Sequence, residues 1–247
     1  MILVANTVRN RDFVMSVGQS NAAGLRDGNF ATLWPSQVRS IQPSVMAADW
    51  LFTGAKYGVD PVWHQLTPRA VADTELGEPT GAKLGFGGMD LGRRLQGYGY
   101  APAVASYGWG GTGAAWWATQ TAVWLDWLHD RYDELVSPRR AALVVYQGEN
   151  DAVTGDPWKV PWDGIMVEVR AIWPGCPVIV VRIPETWAAP HLDQLQAEQD
   201  AFVAADSNAA IVRDDAATFI DGTHLDPDST GRIYRLAADA VAAKWSP

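Results

Sequence analysis

A serine at position 20 ends an apolar run in VMSVGQSNAAG, and a histidine at position 224 follows an aspartate by three residues in IDGTHLDP. A hydroxyl becomes a competent nucleophile when a base removes its proton, and imidazole is the usual base near neutral pH. The chain offers four histidines. His129 falls in the charged helical stretch WLHDRYDE, His191 follows a proline at a helix start, and His64 lies in the unassigned loop DPVWHQLTP. His224 has Asp221 across a glycine-containing turn, a spacing that lets the carboxylate bend back to Nδ1–H and leaves Nε2 free to face a serine. Alone, D-x-x-H reads first as a shaped turn with a helix cap. Together with Ser20 it reads as a base and its orienting acid.

Acyl transfer also needs hydrogen-bond donors aimed at the developing oxyanion. A glycine amide in GWGGTG, residues 108–113, suits this, because without a Cβ the backbone N–H can approach a ligand closely. The same glycines would also permit a tight bend and nothing more. Gln147, in QGEND, offers a side-chain N–H. With the Ser20 amide these would make a three-donor site.

Such residues need a scaffold that delivers them to one edge. Phe13–Val17, Ala103–Ser106, Leu143–Tyr146, Val178–Ile183 and Ala210–Val212 read as short buried strands, rich in Val and Ile and bounded by Gly, Pro or Asp. Helical spacing connects Val123, Trp124, Trp127 and Leu128, then Leu192, Leu195 and Phe202, then Ile233, Leu236, Ala237, Ala240 and Val241. The last stripe follows Asp228 or Ser229, either a suitable N-cap. Residues 25–85 are punctuated by Gly and Pro and resist assignment. Apolar strands alternating with helices predict a mainly parallel sheet covered on both faces, with the site beyond the carboxyl ends of the strands. The strand ends deliver GQSN, YGWGGTG, QGEND and the Asp221/His224 segment, so alternation and chemistry agree.

Composition sets outer limits. The 247 residues, 48% hydrophobic, carry no linker, charge block or repeat, so a single domain over 1–247 is expected. A net charge of -9 argues against a general nucleic-acid partner, which requires clustered Lys and Arg. The single cysteine, Cys176, excludes an internal disulfide framework and a cysteine-rich zinc site, and reads as a packing residue. The N-terminal MILVANTVRNRD is too short in its apolar part for a secretory signal, and no run is long enough to span a bilayer. A soluble form with no membrane partner is therefore expected, either cytoplasmic or attached to a larger particle such as a virion. Oligomeric state leaves no signature. Among thirteen tryptophans, Trp63, Trp109, Trp158 and Trp162 fall in Gly- and Pro-rich segments. There they either line a glycan cleft, since indole faces suit sugar C–H faces, or simply pack loops.

Taken in order, GQSN, GGT with a nearby Trp, QGE-x-D and D-x-x-H resemble the SGNH-fold hydrolases, and within them the sialate O-acetylesterase-like and acetylxylan-esterase-like carbohydrate acetylesterases. The resemblance runs from Val14 to about Ala240 and implies a three-layer αβα sandwich with a flavodoxin-like central sheet. It implies Ser20 as nucleophile, His224 as base and Asp221 as acid, with Ser20, Gly110 and Gln147 forming the oxyanion hole. Glu149 is a second candidate for the acid, or a structural carboxylate holding the turn. Trp109, Trp63 and Trp158 would form the substrate rim. The G-x-S-x-G of α/β-hydrolases is absent, since Asn21 and Ala22 follow Ser20. A G-P-E segment common in the family is replaced by LGFGGMDLGRRL, so part of the rim is expected to differ. The expected activity is removal of O-acetyl groups from a carbohydrate, with no metal or other cofactor. Its rivals are a short-chain lipase or thioesterase of the same fold, a glycosidase using Glu149 and Asp221, and a non-catalytic glycan-binding module.

Overall fold

The computed structural model describes residues 12–19, 21, 41–43, 63–65, 86–108, 111–133, 135, 138–219 and 222–246. Five strands form one parallel sheet: β1 (Asp12–Gly18), β4 (Pro102–Gly108), β5 (Arg140–Tyr146), β6 (Val178–Val181) and β7 (Ala209–Val212). Their order is β4-β1-β5-β6-β7, which is 2-1-3-4-5 when sheet strands are counted along the chain, the flavodoxin-like winding. Two further strands, β2 (Ile41–Pro43) and β3 (Trp63–Gln65), make a small antiparallel ribbon, so His64 lies in a strand rather than a loop. Most of 25–85 lies outside the described residues.

The strands form for the reason their sequence suggests. All seven residues of β1 are buried, and β5 is buried after Arg140, as expected of strands with helices on both faces. Two helical groups supply that cover. The pair α1 (Phe86–Gly97) and α7 (Pro227–Trp245) pack together, while α2 (Ala114–Thr119), α3 (Thr121–Asp133), α5 (Lys159–Ile172) and α6 (Leu192–Ala204) pack among themselves. A short α4 (Glu149–Thr154) follows β5 directly and contacts α6.

The cap of α7 corrects the sequence reading. Neither Asp228 nor Ser229 starts the helix; Asp226 does, its carboxylate accepting the Ser229 N–H at 2.8 Å, with Pro227 in the first turn. Proline fits there because its missing N–H would be unsatisfied in any case. At the opposite end of the sheet, fully buried Asp12 accepts from Arg139 at 3.0 Å and pairs with Arg140 at 3.2 Å. Cys176 is buried, and burial pushes its thiol up to about 12, leaving a packing residue without nucleophilic character.

Candidate active site

The strand order reverses between β1 and β5, and in open sheets of this winding ligands bind beyond the carboxyl ends of the strands at that point. Ser20, Trp109, Gly110 and Asp221 lie outside the described residues, as does the side chain of Trp63. The site is therefore built from their neighbours. After β1, the Gln19 N–H donates to Tyr146 O at 3.4 Å, tying the first turn to the end of β5.

Asn21 joins that turn to the histidine segment. Its Nδ2 donates to Thr223 O at 3.2 Å and to Glu149 Oε1 at 3.1 Å, and its Oδ1 accepts the Leu225 N–H at 2.9 Å. The residue after Ser20 thus bonds both neighbours of His224, across 202 and 204 positions of sequence. The amide orientation is fixed, because a backbone N–H can only donate and a carbonyl can only accept.

The QGEND segment is the second junction. Gly148 has φ of +134°, which lets the chain leave β5 and enter α4 at once, and a side chain there would meet Leu195 at 2.9 Å. Gln147 is fully buried, and both of its amide hydrogens are occupied: Nε2 donates to Thr112 O at 3.2 Å and to Asp151 Oδ2 at 2.7 Å. Its Oε1 accepts from Trp162 Nε1 at 2.9 Å. This corrects the expectation of Gln147 as third oxyanion donor, since a primary amide has two hydrogens and neither is left for a ligand. Instead it braces the glycine loop. Asp151 does the same from one turn on, its Oδ1 accepting the Ala114 N–H at 2.9 Å.

Burial dominates the electrostatics of this segment. Desolvation raises Glu149 to about 7, against the pull of its own backbone N–H, of Asn21 and of nearby His224. Desolvation likewise raises Asp151 to about 6, against the Ala114 N–H and Gln147. Glu149 Oε2 is buried and has no hydrogen-bond partner among the described residues. Glu149 therefore stands within the field of His224 while its bonded oxygen serves Asn21.

Trp158 departs from its expected place. It is fully buried, stacked on Trp162 at 5.7 Å between ring centroids, and its Nε1 donates to Gln147 O at 3.1 Å. A core ring cannot form a substrate rim. Trp158 and Trp162 are four residues apart, the spacing of one helix face, and that signal could have placed both inside. The bracing roles of Asn21 and Asp151 were missed, because Asn21 bonds Thr223 and Leu225 more than two hundred positions away and Asp151 bonds Ala114 in another loop. Among the described residues no group of three or more His, Cys, Asp or Glu could hold a metal ion, and no described helix is long and apolar enough to cross a membrane.

Comparison with known proteins bears on the family and the fold. The profile of the family described as "Carbohydrate esterase, sialic acid-specific acetylesterase" matches residues 10–243. No curated protein matches the chain. Among solved structures, it is similar to a protein of Arabidopsis thaliana, with a TM-score of 0.69 and 17% identity over 96% of this chain and all of that one. It is also similar to NanS, with a TM-score of 0.61 and 11% identity over 98% of this chain and 99% of that one. A carbohydrate acetylesterase from Xanthomonas citri aligns with a TM-score of 0.58 and 15% identity over 94% of this chain, which spans 56% of that protein. At such identities the likeness is one of fold.

Proposed function

The chain belongs to the family of carbohydrate esterases described as sialic acid-specific acetylesterases, a carboxylic ester hydrolase by that membership, and from this premise we propose that it removes O-acetyl groups from a carbohydrate through an acyl-enzyme on Ser20. His224 takes the Ser20 proton as the hydroxyl attacks the acetyl carbonyl, and Asp221 orients the imidazole. The Ser20 and Gly110 amides hold the oxyanion, while Gln147 and Asp151 brace the loop that follows Gly110. The sugar hydroxyl leaves with the proton from His224. Water activated by the same imidazole then releases acetate and restores the serine.

The observation that carries this reading is the bonding of Asn21 to Thr223 and Leu225. It brings the segment next to Ser20 against the segment that holds His224. The carboxyl ends of the strands, where the strand order reverses, are where such a fold holds its ligands.

The test is acetate release from a panel of O-acetylated polysaccharides and O-acetylated sialic acid, with Ser20→Ala and His224→Ala as controls. Each variant should lower kcat on the order of 10⁶-fold, as for nucleophile and base acting as a unit. Turnover by Ser20→Ala at the wild-type rate would end the serine mechanism. Glycan binding with no acetate release and no labelling of Ser20 by a fluorophosphonate would mean a binding module instead.

A further inference from the structure

We propose that Asn21 is a positioning residue that sets His224 against Ser20, with buried Glu149 as its anchor; this rests on the serine-esterase reading above. In a parallel β-ladder, a residue bonds the carbonyl before and the amide after the residue it faces. Asn21 does the same with its side chain, donating to Thr223 O and accepting from Leu225 N–H. Both peptide planes that flank His224 are therefore held by one amide group, and with them the direction in which its Cβ leaves the backbone.

Asn21 is also the residue that follows Ser20 in the chain, joined to it by one peptide bond. The distance between nucleophile and base is thus transmitted through a single residue rather than through two loops moving independently. Glu149 completes the clamp. Its Oε1 takes the second Nδ2 hydrogen at 3.1 Å, which fixes the rotation of the Asn21 amide. Asn21 is itself buried, so water does not compete for these bonds. Three partners from two segments converge on one buried side chain.

The carboxamide is what the geometry requires. Alanine at position 21 would leave the Leu225 N–H, the Thr223 carbonyl and Glu149 without this partner. Aspartate keeps an acceptor for Leu225 but turns its other oxygen toward a carbonyl and a carboxyl, where donors are needed.

The experiment measures kcat and KM on p-nitrophenyl acetate, and the rate of Ser20 labelling by a fluorophosphonate, for wild type, Asn21→Ala, Asn21→Asp and Ser20→Ala. Both Asn21 variants should lose about 10²-fold in kcat, the scale of a 1 Å misplacement, with KM held within about threefold. The labelling rate should fall with kcat, and turnover per labelled site should fall too. Thermal melts report whether each variant folds; Asn21→Asp, close in volume, decides the matter if Asn21→Ala does not fold. A folded variant with near wild-type kcat overturns the proposal. So does a loss of activity that only follows the fraction of sites labelled, or failure of both variants to fold. If Asn21 variants are fast while Ser20→Ala is inactive, only the positioning role falls. If Ser20→Ala turns over normally, the serine mechanism falls and the positioning role with it.

Discussion

Gln147 Nε2 lies 2.7 Å from Asp151 Oδ2, and this bond decides how the QGEND segment works. The two residues stand four positions apart at the entry to α4, and together they reach Thr112 O and Ala114 N in the loop that begins with the glycines after β4. Two residues that could have faced a substrate are spent on holding another segment in place. Glu149, between them, reaches the other way, to Asn21. One pentapeptide braces both the glycine loop and the histidine segment.

Gln147→Ala should therefore lower stability by roughly 2–4 kcal/mol, because it removes a buried donor to Thr112 O and Asp151 Oδ2 and the acceptor of the Trp162 N–H. Urea unfolding measures this directly. A direct oxyanion donor would show another pattern: a loss of about 10²–10³ in kcat at an unchanged unfolding midpoint.

Stability should fall as pH rises toward neutrality. Burial raises Glu149 from the usual 4.5 to about 7 and Asp151 from 3.8 to about 6. Between those values the folded state holds more protons than the unfolded chain, so raising the pH favours unfolding. Glu149 contributes about 3 kcal/mol between the two ends of its window, at about 1.4 kcal/mol per pH unit. Denaturant midpoints measured from pH 4.5 to 7.5 should decline, and Glu149→Gln should flatten the decline. A stability that rises across this range in wild type would contradict the burial of these carboxyls.

Trp158→Ala should cost about 3–5 kcal/mol, the usual penalty for removing a large buried ring, and leave KM for an acetylated glycan little changed where the protein is folded. A pronounced rise in KM with no loss of stability would return Trp158 to the substrate rim.

Gly113→Ala should disturb the glycine loop through a carboxylate. The added Cβ would stand 2.8 Å from Asp151 Oδ1 and 3.3 Å from Asn150 Nδ2, although the backbone angles themselves suit alanine. Displacing Asp151 releases the Ala114 amide, and kcat should fall about tenfold or more, since small misplacements near reacting atoms are costly. Acetate release at saturating substrate is the measurement.

Much of this was written along the chain. Strand positions were legible because burial on both faces requires unbroken apolar runs, and β1 and β5 have them over nearly their full length. The helix over Thr121–Asp133 announced itself by spacing, and the four motifs by falling on strand ends. The α7 start was misread by two or three positions, because several capping residues stand together and only Asp226 turns its carboxylate to a free amide.

The sequence by itself determined the architecture and the family, since periodicity and motif order are properties of neighbours along the chain. Tertiary structure alone decided the work of each polar side chain. Residue type fixes how many hydrogens Gln147 and Asn21 can donate, but which groups claim them depends on packing across as many as two hundred residues. A buried donor is bound to whatever acceptor the fold sets beside it, because leaving that acceptor unpaired costs about 1–3 kcal/mol.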